Sequence, residues 1–173
     1  MIAFWPLWLH ETIHFSLCTL AAFLVWRFVA KRGVKFWKLW LTALTSGFFI
    51  DGDHLFDHFF AYGVMGFFNH GVLSFFDASI ANPFLEAQKA YVIFHGWEYL
   101  IAGSLVLFFG VKWGKGVKGM RSFFSDKKFV AVCLVFLLSY FFHLCFDQLS
   151  WSHSGWGYFL TYRLLNNFSL LKL

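Results

Sequence analysis

The stretch GFFIDGDHLFDHFF, Gly47–Phe60, sets three aspartates and two histidines directly after the apolar run WKLWLTALTS. A carboxylate in such company costs several kcal/mol unless it is paired or bound to a cation. What surrounds this stretch therefore decides the fold. Of 173 residues, 60% are hydrophobic and 13% charged, against roughly 25% charged in ordinary soluble domains. Twenty-seven phenylalanines and nine tryptophans suit a lipid-facing exterior with interfacial anchors. The composition predicts an all-α integral membrane protein forming one transmembrane domain over residues 1–173.

Four segments read as membrane helices: Trp5 to Ala30, Trp37 to His58, Tyr91 to Val111 and Lys128 to Gln148. The opening MIAFWPLWLHE has neither a basic leader nor a small-residue cleavage site, so it is expected to stay as part of the first span. Phe59 to Ala90 is too long for a tight connection and carries FFAYGVMGFFNHGVLSFF, which predicts an interfacial or re-entrant helix over one mouth of the bundle. The tail GWGYFLTYRLLNNFSLLKL predicts a short C-terminal helix or a fifth span, interrupted by Arg163, Asn166 and Asn167.

Charge is partitioned. Eleven of the fourteen Lys and Arg residues are Arg27, Lys31, Arg32, Lys35, Lys38, Lys112, Lys115, Lys118, Arg121, Lys127 and Lys128, all at one end of the predicted spans. The positive-inside rule puts that end in the cytoplasm. The net charge of +5 thus marks sidedness, and no nucleic-acid partner is expected. Of the nine acids, Asp126 alone joins the basic side. At about 1.5 Å of rise per residue, His14, Asp53, His95 and His143 each lie roughly 22–25 Å from the basic end. Four distant segments therefore bring ionisable groups to one level.

The local spacings add detail. Asp51 and His54 are three apart, His143 and Asp147 four apart, His95 and Glu98 three apart, and Glu11 and His14 three apart, each pair on one helical face. Clustered carboxylates without nearby Lys or Arg repel one another unless cations intervene. Nitrogen and oxygen donors together suit Zn²⁺, Mn²⁺ or Fe²⁺, and their number exceeds the needs of one ion. The expected ligands are His14, Asp51, Asp53, His54, His95, His143 and Asp147, with Asp53 as bridge between two ions. Glu11 and Glu98 are candidates for general base, further ligand or support of an imidazole. His10, one turn before His14, reads as an interfacial hydrogen-bonding group. His153 divides between ligand, substrate contact and interface residue, and Arg163 between phosphate contact and tail anchor. Cys18, Cys133 and Cys145 stand singly in apolar runs and read as structural thiols.

At these residues the chain resembles the bacterial membrane-bound metal-dependent hydrolases, the group to which the LexA-regulated inner-membrane hydrolases belong. His14, then Asp51-Gly52-Asp53-His54, then His143-Leu144-Cys145-Phe146-Asp147 stand in that family's order over roughly residues 10 to 150. The middle departs: the family shows His-Arg-Gly and then Thr-His-Ser, whereas this chain has NHGVLS from Asn69 and HGWE from His95. A distant branch is implied, with hydrolysis as its chemistry. A site at headgroup level, on the non-cytoplasmic face of a bacterial inner membrane, would take a membrane lipid or lipid-linked phosphoester, which places the protein in lipid metabolism. The alternatives are a membrane di-iron oxidase or hydroxylase, and a non-enzymatic metal- or proton-handling protein.

Overall fold

A computed structural model describes residues 7–31, 33–52, 59–60, 63–64, 93–113, 124–150 and 158–169. Among them are five α-helices: α1 Leu7–Leu24, α2 Phe36–Asp51, α3 Trp97–Trp113, α4 Lys127–Ser150 and α5 Leu160–Leu165. α1 runs on without a break into a π-helical turn, Val25–Val29. The helices α1, α2 and α4 pack against one another, and α3 packs on α4.

The three-helix contact is close because small side chains meet there. Ala21, Ala22, Ala43 and Ala131 are fully buried, and Cys18, Ala22, Val25, Leu39, Ala43, Ala131 and Val135 form one core cluster. Small residues let helix backbones approach, the usual device where the surroundings are as apolar as the interior. At Gly47 a Cβ would fall 2.9 Å from Cys18 Sγ, so α2 crosses α1 where no side chain stands. Polar groups also tie the helices together. Trp40 Nε1 donates to Thr19 Oγ1 at 3.0 Å, and Ser46 Oγ donates to the Phe136 carbonyl at 3.2 Å.

The four-span bundle expected from hydropathy does not form. Among the described residues, two helices are long and apolar enough to cross a membrane, Leu9–Val29 with 21 residues and Lys127–Leu149 with 23. α2 has 16 residues and α3 has 17, or about 24–26 Å at 1.5 Å per residue, short of a hydrocarbon core about 30 Å thick. The hydropathy of Trp37–His58 and Tyr91–Val111 carried no signal of where the helices stop. α3 begins only at Trp97, after His95 and Gly96 in irregular backbone. The tail forms the six-residue α5, not a fifth span. The helix expected within Phe59–Ala90 falls almost wholly outside the described residues.

Outside the core the surface is apolar. Only 28% of the first candidate span and 33% of the second are buried within the protein, so neither is wrapped like the core helix of a soluble domain. Phe48 and Phe49 at the end of α2 are each 57% exposed, and Ile101, Leu105, Val106 and Phe108 point outward from α3. Exposed apolar area on this scale marks a surface that meets lipid or another protein.

The crossing at Gly47 generates a test. Gly47→Leu should destabilise the bundle by about 1–3 kcal/mol, the usual cost of overpacking, read as a lower unfolding midpoint in detergent. Cys18→Ala in the same chain should recover part of the loss. An unchanged midpoint in Gly47→Leu would mean that α1 and α2 do not meet there.

Candidate metal centre

Four elements bring their polar ends to one place: the first turns of α1, the last turn of α2, the coil before α3 and the last turns of α4. His10 and His14 lie one turn apart on α1, and His143 and Asp147 one turn apart on α4, so each pair projects from one face. Asp51 ends α2. His14, His95, His143 and Asp147 are buried, while His10 and Asp51 are partly open to the surface.

Asp147 stands at the centre. Its Oδ1 is 3.0 Å from His14 Nε2 and 3.3 Å from His10 Nε2. Its Oδ2 is 3.1 Å from His143 Nε2 and 3.2 Å from His95 Nε2. Asp51 Oδ1 lies beside the second pair, 3.2 Å from His143 Nε2 and 3.7 Å from His95 Nε2. Within the pairs, His10 and His14 Nε2 are 3.3 Å apart, and His95 and His143 Nε2 are 3.2 Å apart. The His14 and His143 rings stack at 4.0 Å and join the two groups.

These side chains form two sets competent to hold a metal ion, His10–His14–Asp147 and Asp51–His95–His143. All four imidazoles turn the same nitrogen inward. Hydrogen bonding alone does not require that, because two facing Nε2 atoms can share only one proton between them. Spacings of 3.0–3.7 Å among the neighbouring donors lie near the edge of a tetrahedron, about 3.3 Å for metal–ligand bonds of roughly 2.0–2.1 Å. With Asp147 Oδ2 the second set offers four donors and the first, through Oδ1, offers three. Among the described residues, Nδ1 of His14 and of His143 is buried without a hydrogen-bond partner. Each such orphan costs about 1–3 kcal/mol, a penalty characteristic of a site kept for function.

The coil carrying His95 is held from behind. Tyr140 Oη donates to the carbonyls of Phe94 and Gly96, and Arg163 Nη2 donates to the carbonyl of His95 at 2.8 Å. Three successive carbonyls are thus engaged by α4 and α5. Trp97 Nε1 adds a bond to Gln148 Oε1 at 3.2 Å. Arg163 reaches this position because Glu98 docks the start of α5: its Oε2 accepts from the Leu160 amide at 3.0 Å and its Oε1 from the Thr161 amide at 2.8 Å. Although burial works the other way, the Thr161 and Leu160 amides hold the Glu98 carboxyl below its ordinary range. Burial, reinforced by the charge of Asp147, pushes the Tyr158 phenol well above its usual value, with Arg163 acting in opposition.

Several expectations from the sequence are now placed. His14, Asp51, His95, His143 and Asp147 converge. Asp53, His54 and His153 lie outside the described residues, and the bridging geometry expected of Asp53 belongs, among the described residues, to Asp147. His95 and Glu98 do not share a helical face, since His95 precedes α3. Glu98 caps α5 with both oxygens, and Arg163 is 1% exposed and donates to the His95 carbonyl. Glu11 is partly exposed, with Oε1 3.6 Å from His10 Nδ1. His10, read as an interfacial group, belongs to the cluster; its four-residue spacing from His14 was the available signal. The cysteines are free and outside both sets, Cys18 being buried in the core.

No protein-family model matches this chain. Comparison with curated proteins gives no match either, and the same holds for solved structures.

The support of His95 predicts an asymmetric effect. Arg163→Ala should weaken metal binding in the His95 set by about 10–100-fold, the range typical for residues that orient ligands, and leave the His10 set near its normal affinity. Arg163→Lys should recover part of the loss. Competition with a chromophoric chelator reads both, and equal weakening of the two sets would contradict the placement of Arg163.

Proposed function

We propose that this protein is a membrane-embedded, metal-dependent hydrolase that holds two divalent cations, Zn²⁺, Mn²⁺ or Fe²⁺, across the Asp147 carboxylate and cleaves an ester or phosphoester of a membrane lipid. One observation carries the reading: the two oxygens of a single buried carboxylate face two separate histidine pairs, 3.0–3.3 Å away on each side. A structural ion-pair network has no need of that division. Two adjacent cations need a shared anionic ligand between them, because it offsets their repulsion.

Bound there, such a pair supplies an activated water and neutralises charge on the departing oxygen. The chain's own groups do the rest. The Asp51–His95–His143 set, completed by Asp147, has four donors and suits a closed position, while the three-donor His10–His14–Asp147 set leaves room for water or a substrate oxygen. That open side lies where His10 and Glu11 reach the surface, their side chains 19% and 28% exposed. Glu11, its Oε1 3.6 Å from His10 Nδ1, lies on the side of that ring away from the inward-facing Nε2 and would orient the imidazole as a ligand.

The resemblance of residues 10 to 150 to membrane-bound metal-dependent hydrolases supports hydrolysis as the reaction class. The apolar surface of α2 and α3 and the two candidate spans support residence in a membrane. With the Lys and Arg clusters at the opposite end of the helices, the site faces the non-cytoplasmic side of a bacterial inner membrane.

Metal content tests the shared carboxylate. Purified wild-type protein should carry close to two equivalents of transition metal. His10→Ala and Asp51→Ala should each keep about one, whereas Asp147→Ala should lose both together with phosphodiester or ester hydrolysis. Two equivalents retained in Asp147→Ala would end the dinuclear reading.

A further inference from the structure

At the end of the bundle opposite the metal ligands the same helices present cations. Arg27 lies in the π-helical turn that continues α1 and Lys31 just after it, Lys35 and Lys38 open α2, Lys112 closes α3 and Lys128 opens α4. These ends stand side by side, since Val25, Leu39 and Ala131 share one core cluster with Trp26 and Phe36, and Gly110 lies against the Phe124 ring. All of these cations are exposed. Asp126, the one acid that the sequence places at this end, has its Oδ1 engaged by the Lys128 amide at 2.8 Å. Among the described residues, none of these Lys or Arg side chains forms an ion pair.

Several of the cations meet aromatic rings instead. Arg27 stands over Phe28 at 5.7 Å, Lys38 over Trp37 at 5.6 Å, and Lys112 over Trp113 at 5.2 Å and Phe108 at 5.6 Å. The rings face outward, with Trp37 53% and Trp113 59% exposed. Tryptophan beside Lys or Arg at one level is the pattern of a membrane–water boundary. The depth agrees with it. At about 1.5 Å per residue, Arg27 lies about 26 Å from His10 along the first helix and Lys128 about 28 Å from Asp147 along α4, close to one hydrocarbon thickness of about 30 Å. Lys38 and Lys112 stand in the first turn of α2 and the last turn of α3, and their long stems let each ammonium reach the headgroups from these shorter helices.

We propose that this collar of cations and rings holds anionic phospholipids of the leaflet opposite the metal centre. The cations donate to phosphodiester oxygens, the exposed tryptophans sit at the boundary, and the acyl chains lie along the outward residues Phe28, Val29 and Phe108. Charge complementarity and amphiphilicity select the partner together. A free phosphate or a nucleic acid would use the cations and leave the adjacent apolar rings in water, whereas a lipid covers both. Fixing this end of the bundle at one headgroup layer also fixes the depth of the metal centre at the other. The inference rests on the membrane residence proposed above and needs neither metal nor hydrolysis.

Native mass spectrometry of the purified protein, given an equal mixture of phosphatidylglycerol and phosphatidylcholine with matched chains, tests this. Wild type should retain the anionic lipid at least about fivefold over the zwitterionic one, the ratio equivalent to one cation at an anionic surface. Arg27→Gln/Lys38→Gln/Lys112→Gln should bring the ratio close to one without altering metal content, and Lys38→Gln/Lys112→Gln serves should the triple variant not fold. Glycerophosphoglycerol, the headgroup without its chains, should not displace the lipid. A ratio near one in wild type, a ratio unchanged by both sets of substitutions, or displacement by the chain-free headgroup or by a short oligonucleotide would overturn the inference. Anionic lipid retained by a protein that carries no metal would uphold the collar and remove the hydrolase reading alone. A metal-loaded, active protein without lipid preference would do the reverse.

Discussion

The structure depends on one carboxylate. Asp147 is buried at the end of an apolar helix, where an isolated charge is expensive, and it is tolerated because four imidazole nitrogens surround it at 3.0–3.3 Å. Those nitrogens come from α1, α4 and the coil before α3, and Asp51 adds the end of α2. α1, α4 and the coil before α3 are therefore tied at one level by the same group, and Asp51 brings the end of α2 to it through His143. Below that level, small residues set the spacing: Ala21, Ala22, Ala43 and Ala131 let α1, α2 and α4 approach closely enough for short side chains such as Asp51 and Asp147 to reach a common point.

A second layer keeps the centre in register. Helical pairs on α1 and α4 are positioned by the helix itself, but His95 sits in irregular backbone and needs external support. Tyr140 and Arg163 supply it by taking the carbonyls of residues 94, 95 and 96. Arg163 in turn is delivered by α5, whose first amides are bound by Glu98. A short tail helix thus supports the candidate metal centre, with Glu98 binding the first amides of α5 and Arg163 the carbonyl of His95.

Part of this was legible in the sequence. The apolar lengths of α1 and α4 stand out, and the i,i+4 pair His143–Asp147 could be placed on one face before any coordinates. The convergence of His14, His95 and His143 was expected from their equal distances to the basic end, and Asp51 and Asp147 joined them through their spacing from neighbouring histidines. Hydropathy failed at helix ends: it carried α2 past Asp51 and started α3 before His95, because an apolar coil and an apolar helix have the same composition. Long-range partners were invisible for the same kind of reason. Tyr140 and Arg163 lie 44 to 68 residues from the carbonyls they bind, and nothing local marks them as supports. The position of Asp147 between two histidine pairs was also hidden, since it depends on what stands on both sides of the carboxylate. His10 was within reach, as its spacing from His14 repeats that of His143 and Asp147.

The division of Asp147 between two sets has a direct physical signature. Protein loaded with two equivalents of Mn²⁺ should give the electron paramagnetic resonance spectrum of an exchange-coupled pair, because a bridging carboxylate and an ion separation of about 3.5–4 Å couple the two spins. A spectrum of two independent Mn²⁺ ions at full loading would contradict a shared Asp147 and separate the two histidine pairs into unrelated sites.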